Sequence, residues 1–202
     1  MQGETTRTGF PSLFIRLAGC NLNCRWCDTP YAREGSPVTI AQILQTIHTY
    51  PSLHHITITG GEPLLQEGTL LLLEILSQKN YPLQLETNGS ISVAQVPVQV
   101  HKIIDVKTPS SGHADSFDFT NINHLQPHDE IKFVIADDND YNYSKDFIGK
   151  YLKNVPLVIN FSPVANVMNP HTLAEYILRD RITVRLNIQL HKLLWNSEPK
   201  YF

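Results

Sequence analysis

The residues best suited to chemistry are three cysteines, Cys20, Cys24 and Cys27. They are all the cysteines of the 202-residue chain and lie in one stretch, Gly19-Cys20-Asn21-Leu22-Asn23-Cys24-Arg25-Trp26-Cys27-Asp28-Thr29. An odd, tightly clustered set cannot be a disulfide framework. Three thiolates spaced C-x3-C-x2-C in one loop can hold three corners of a [4Fe–4S] cube, because Cys thiolate is the usual cluster ligand. No fourth cysteine exists to close the last corner. One iron is then open to an external ligand, as a catalytic metal site requires. The other metal open to such a loop is zinc, in a Cys3His site completed by one of nine histidines, none of them within the loop.

A second segment, Thr59-Gly60-Gly61-Glu62-Pro63, places two glycines where a backbone can approach a ligand closely. Around these segments short β-like runs alternate with helix-like ones, the pattern of an α/β fold in a single domain, 1–202. Strands are expected at 12–18, 54–59, 82–86, 102–106, 130–135, 156–161 and 182–190. A helix is expected where Ile40, Ile43, Leu44 and Ile47 recur behind a Thr39 N-cap. Others are expected over 69–79, 141–154 and 170–179, with Pro170 in the first turn. Residues 108–129 lack periodicity and read as a long functional loop.

Strand side chains alternate between faces. Arg16 then opposes Ile15 and Leu17, Glu86 opposes Leu85, Lys107 opposes Val106, and Lys132 opposes Phe133. Asn160 opposes Ile159, while Gln189 and His191 oppose Ile188 and Leu190. A parallel sheet covered on both faces reads as continuous apolar runs. Here one face is polar at strand after strand, which predicts a partial (β/α) barrel with helices outside and a polar lumen. Arg16, Glu86, Lys107, Lys132, Asn160, Gln189 and His191 should share that lumen, with Ile15, Leu85, Val106, Phe133, Ile159 and Ile188 facing helices. The alternative, a sheet with one face in water, would carry several Lys and Glu on each strand. Glu86 and His191 are the titratable candidates for catalysis.

A hydrophobic content of 42% and a charged content of 17% fit an ordinary globular protein. A formal charge of −3 gives no electrostatic case for nucleic acid. No apolar run approaches the ~20 residues of a membrane span. The start, Met1-Gln2-Gly3-Glu4, has neither the basic nor the apolar region of an export signal, so a cytoplasmic location is expected.

The C-x3-C-x2-C loop and the Gly60-Gly61-Glu62-Pro63 segment resemble the radical S-adenosylmethionine superfamily. Over most of the chain the sequence resembles 7-carboxy-7-deazaguanine synthases, on Gln2-Gly3-Glu4, Phe14-Ile15-Arg16-Leu17, Cys27-Asp28-Thr29, Glu86-Thr87-Asn88-Gly89, Asp105-Val106-Lys107-Thr108-Pro109, Glu130-Ile131-Lys132 and Gln189-Leu190-His191-Lys192. The resemblance implies a radical SAM-type shortened barrel, a [4Fe–4S] cluster on Cys20, Cys24 and Cys27, S-adenosylmethionine on the open iron, and Mg²⁺ at Thr29. Bound to that iron, S-adenosylmethionine is cleaved reductively to a 5′-deoxyadenosyl radical. The implied reaction converts 6-carboxy-5,6,7,8-tetrahydropterin to 7-carboxy-7-deazaguanine, on the route to queuosine.

Carried over position by position, Met1, Gln2, Gly3, Arg16 and Thr87 match substrate-binding residues. Trp26, Cys27, Asp28, Gly60, Gly61, Glu62, Gly89, Ala136, Asp137, Asp138, Ser162 and Pro163 match positions beside S-adenosylmethionine. Arg16 also has a physical rationale, since a guanidinium fork suits a carboxylate or a pterin edge. The resemblance further implies a homodimer reduced by a protein such as flavodoxin or ferredoxin. In two respects the chain departs from the pattern: members usually carry a strand before Gln-Gly-Glu, and glycine is common where Thr5 stands. A glycyl-radical-enzyme activase also carries C-x3-C-x2-C, but it would not need a pterin-sized polar lumen. An electron-transfer iron–sulfur protein would close all four iron positions.

Overall fold

A computed structural model describes residues 1–53, 55–153 and 155–195; the tail 196–202 lies outside them, as do His54 and Asn154 at the expected ends of a strand and a helix. One sheet of seven parallel strands runs in chain order: β1 (Ser12–Leu17), β2 (His55–Gly60), β3 (Leu83–Thr87), β4 (His101–Val106), β5 (Glu130–Ile135), β6 (Val158–Pro163) and β7 (Arg185–Leu186). The sheet curves as a partial (β/α) barrel. Helices α1 (Ile40–His48), α2 (Gly68–Gln78), α3 (Asp138–Phe147) and α4 (Pro170–Asp180) supply crossovers, and α5 (Leu190–Trp195) follows β7. No helix of the described residues is long and apolar enough to cross a membrane.

Local chemistry explains the helix starts. Thr39 and Gln42 form a reciprocal capping box on α1, and Asn169 caps α4 ahead of Pro170. At the other end of α3 the chain continues as a π-turn, Ile148–Leu152. Residues 108–129 form the expected loop, stiffened by the 3-10 turns Pro109–Ser111 and Phe119–His124.

The strand parity holds from β1 to β6. Ile58, Leu85, Ile104, Phe133 and Phe161 are fully buried on the helix-covered face. Register pairs Arg16 with Thr59, Asp105 with Lys132, and Lys132 with Asn160 on the other. Lys102 breaks the pattern by lying on the apolar face, 1% exposed, with Nζ 2.8 Å from Asp129 Oδ2. The last expected strand is corrected most. Only Arg185–Leu186 pairs with β6, and the chain enters α5 at Leu190. Ile188, expected to face a helix, is 40% exposed.

The N-terminal segment forms the floor of the lumen. Thr5 N–H donates to Asn187 Oδ1 (2.9 Å), and the Thr6 N–H and Oγ1 donate to Glu130 Oε1 at 3.0 and 2.6 Å. Thr5 has φ +70°, which is strained for a β-branched residue. Gln84 Nε2 donates to its hydroxyl at 3.2 Å. Burial pushes the Glu130 carboxyl up, but bonds from His101, Thr6 and Asn160 outweigh it and bring the pKa from its ordinary 4.5 to about 2. A depressed carboxylate stabilises the fold above its unfolded pKa and loses that contribution as pH falls towards the folded one. The difference corresponds to about 3 kcal/mol at neutral pH. Urea unfolding should therefore find Glu130→Gln less stable by roughly that amount at pH 7, with the gap narrowing below pH ~5. A gap unchanged at pH 4 would mean that the charge is irrelevant.

Candidate active site

Parallel α/β sheets present their ligand sites at the carboxyl ends of the strands. The cysteine loop leaves β1 there through Gly19, at φ +90°. Gly61 N–H donates to Leu17 O (3.1 Å) and Glu62 N–H to Gly19 O (2.8 Å). A Cβ on Gly61 would stand 2.1 Å from Gly19 O and 2.8 Å from Cys20 Cβ, so only glycine lets the two loops meet. The long 108–129 loop braces the other side, where Arg25 N–H donates to Ser111 O (3.2 Å) and Asn23 N–H to His113 Nε2 (3.0 Å). Cys20 and Cys24 are half-buried and Cys27 is exposed. Burial pushes the Cys24 thiol up, against the pull of Lys107. Among the described residues no three His, Cys, Asp or Glu side chains gather around a single ion.

Glu62 ties the mouth together. It is fully buried and accepts from Leu64 N–H (3.0 Å), Thr87 Oγ1 (2.8 Å) and Asn88 N–H (2.7 Å). The side chains expected to touch cofactor (Glu62) and substrate (Thr87) thus bond each other, leaving backbone to face a ligand. Gly89 has φ +71°, and a Cβ there would meet Ile104 Cγ2 at 2.7 Å. Asp137 caps α3, Asp138 accepts from Tyr176 OH (2.8 Å), and Ser162 accepts from Asn187 Nδ2 (2.9 Å). Ala136 and Trp26 are half-buried. Pro163 borders a cavity of about 710 Å³ that Gln189 and Lys192 also line.

Below the mouth lies a charged lumen. Lys132 Nζ stands 2.9 Å from Glu4 Oε2 and 3.6 Å from Asp105 Oδ2, and Lys107 Nζ lies 2.9 Å from the same Asp105 oxygen. Burial opposes the Lys132 cation, but Glu4, Asp105 and Glu86 outweigh it and hold its pKa well above the usual lysine value. Burial also opposes Asp105 ionisation, and Lys107 and Lys132 overcome it. Asp105 Oδ1 is buried and meets no hydrogen-bond donor among the described residues. Glu86 accepts from Gln2 Nε2 (2.9 Å) and Thr59 Oγ1 (3.1 Å). Burial pushes its carboxyl up despite Lys132 and those bonds.

Glu86, Lys107, Lys132 and Asn160 share the lumen as expected. Gln2 is 3% exposed and belongs to it, whereas Met1 is 49% exposed. Arg16 departs from expectation: on edge strand β1 it is exposed, with its guanidinium 5.5 Å from the Tyr31 ring centroid. Gln189 and His191 reach the lumen without being strand residues. Gln189 Nε2 donates to Glu4 Oε1 and Asp28 Oδ2, and a Cβ on Gly3 would lie 2.1 Å from His191 Nδ1. Burial lowers the His191 pKa and favours its neutral form, although Glu4 pulls the other way. Lys192 Nζ, 3.3 Å from Asp28 Oδ2, joins α5 to the cysteine loop. Sequence reasoning left Asp105 and Glu4 without a role in the site. Polar alternation marked Asp105, whereas alternation gave no sign of Glu4, whose partner Lys132 is 128 residues away.

Residues 14–178 match the Radical SAM superfamily. The 7-carboxy-7-deazaguanine synthase of Koribacter versatilis is 39% identical over 99% of this chain and 95% of its own length. That of Chlorobaculum tepidum is 41% identical over 99% and 92%. The chain belongs to the 7-carboxy-7-deazaguanine synthase family of the radical SAM superfamily. Its fold agrees. QueE from Escherichia coli superposes with a TM-score of 0.79 at 23% identity, covering 95% of this chain and 90% of that one. Streptococcus suis SuiB bound to its precursor peptide gives 0.65 at 13%, over 90% and 49%. In this family's terms, the cysteine loop and the Gly60-Gly61 backbone meet at one mouth. Three sulfurs on a loop braced by two neighbours, with no fourth cysteine, fit a cluster with one open corner.

Proposed function

We propose that this chain is a radical SAM lyase that converts 6-carboxy-5,6,7,8-tetrahydropterin to 7-carboxy-7-deazaguanine with loss of ammonia, in the cytoplasm, as a homodimer reduced by a flavodoxin or ferredoxin. The observation that carries this reading is the cluster of Glu4, Asp105, Lys107 and Lys132 on the inner face of the sheet, in which Asp105 Oδ1 meets no donor among the described residues. Cys20, Cys24 and Cys27 would hold the cluster and the Gly60-Gly61 backbone would face S-adenosylmethionine, and together these groups would supply radical chemistry at the mouth.

The chain's own residues hold and orient that substrate. Asp105 accepts an N–H of the pterin, which satisfies its orphaned oxygen. Lys107 and Lys132 keep Asp105 ionised and offset the substrate carboxylate. Glu86, whose carboxyl burial pushes up, and His191, which burial keeps neutral, carry protons, and Arg16 at the exposed rim pairs with the substrate carboxylate. The floor of Gln2 to Thr6 excludes water from below.

Thr29 is the Mg²⁺ ligand. It stands at the N-cap of the turn Pro30–Arg33, yet its side chain makes no capping bond, and its nearest partner is Cys27 Sγ at 3.8 Å. Mg²⁺ takes few protein ligands and completes its shell with water and substrate oxygens. Anaerobically reconstituted protein, given S-adenosylmethionine, dithionite and the carboxytetrahydropterin, should release 7-carboxy-7-deazaguanine and ammonia in equal amounts. Thr29→Val should keep its cluster but need at least about tenfold more Mg²⁺ for half-maximal rate, on the scale of one lost metal contact. Identical Mg²⁺ titrations would return Thr29 to the role of a turn residue, and absence of product would reject the synthase reading.

A further inference from the structure

The turn after β3 carries a ring of side-chain hydrogen bonds that substrate binding does not use. Asn88, 7% exposed, accepts at Oδ1 from the Ser90 backbone N–H (3.0 Å) and from Ser90 Oγ (2.6 Å). Ser90 Oγ accepts from Asn21 Nδ2 (2.8 Å), and Asn21 Oδ1 accepts from Asn88 Nδ2 (3.1 Å). The ring joins the β3 turn to the residue next to Cys20. It also fixes the Asn88 amide, because a flipped amide would set Nδ2 against the Ser90 N–H, donor against donor. Glu62 Oε2 holds the Asn88 backbone N–H at 2.7 Å. So oriented, Asn88 Nδ2 lies 3.9 Å from Cys20 Sγ, the sulfur that the Leu22 N–H also meets at 3.5 Å.

We propose that Asn88 tunes the reduction potential of the cluster through an amide N–H···S bond to the Cys20 thiolate, with Ser90 and Asn21 holding the amide in place. Reduction adds an electron whose charge spreads onto the ligating sulfurs. A donor aimed at one of them therefore stabilises the reduced form more than the oxidised form and raises the potential. Partners behind the ligands commonly adjust a metal site in this way. A residue serving only the turn would affect folding and loading but leave the potential alone. The inference rests on the cluster assignment within the proposed function and not on the substrate.

The test is an EPR-monitored redox titration of the anaerobically reconstituted chain, without S-adenosylmethionine or substrate. With about four irons retained, Asn88→Ala should shift the midpoint negative. Asn88→Asp should shift it further, since a carboxylate sets charge and lone pairs against the thiolate. Ser90→Ala, which leaves Asn88 in place but loosens its amide, should fall between wild type and Asn88→Ala. One common midpoint for all four proteins overturns the proposal. If the Asn88 variants fail to load, an unchanged midpoint in Ser90→Ala overturns it just as well. Product formation is not needed for the reading, so a tuned cluster in a chain that makes no deazaguanine would overturn the synthase reading alone.

Discussion

Replacing Cys24 with alanine is expected to abolish reductive cleavage of S-adenosylmethionine while leaving the chain folded. Cys24 is half-buried at the mouth and no cysteine elsewhere can substitute for it. Two sulfurs then hold only two corners of the cube, and iron is lost or bound irregularly. Loss of 5′-deoxyadenosine release should exceed about a thousandfold, equivalent to roughly 4 kcal/mol of barrier. Iron and sulfide counts after reconstitution, together with 5′-deoxyadenosine release, give the answer. A full complement of iron with cleavage intact in Cys24→Ala would sink the cluster assignment.

The second large effect lies in the lumen. Lys132 neutralises Glu4 and Asp105, and removing it leaves the Glu4 carboxylate, among the described residues, with a hydrogen bond from Gln189 alone. Breaking one partner out of a buried ion pair costs about 3–5 kcal/mol, because the remaining charge is uncompensated. Lys132→Met should lower stability by that order in denaturant unfolding. Adding Glu4→Gln should recover part of the loss, since the orphaned charge is then gone. A single Lys132→Met variant within 1 kcal/mol of wild type, or a double variant worse than the sum of its parts, would contradict the network.

How far the sequence could be read depended on what each side chain faced. Most strands announced their inner and outer faces, because Glu86, Lys132 and Asn160 alternate with residues such as Leu85 and Phe133 that helices must cover, while Arg16 follows the same alternation but lies exposed on the edge strand. The same rule failed at 182–190. That segment alternates as cleanly as any, but only Arg185 and Leu186 have a strand to pair with. Asn187 and Gln189 spend their side chains on Thr5 and Glu4 instead, so alternation there records contacts with the N-terminal segment rather than a pleat. Lys102 escaped notice because its partner, Asp129, sits just before β5, beside it on the neighbouring strand but 27 residues away in the chain. The cysteine loop and the glycine pair were legible because their chemistry is local. Which of the neighbouring side chains reach a ligand was not, since Glu62 and Thr87 turn on each other only in three dimensions.

The floor of the lumen has a kinetic consequence. Each strand lies beside its predecessor, so the sheet can grow one crossover at a time along the chain. The floor cannot, because Thr5 bonds Asn187 across 182 residues and Gln189 bonds Glu4 across 185. Closing so large a loop carries nearly the full entropic penalty of the chain for a handful of hydrogen bonds. The two ends therefore meet last during folding and part first during unfolding, while the pairing of β2 with β3 persists. The vessel that encloses the reaction is thus sealed by its most remote contacts, and its base opens more readily than its walls.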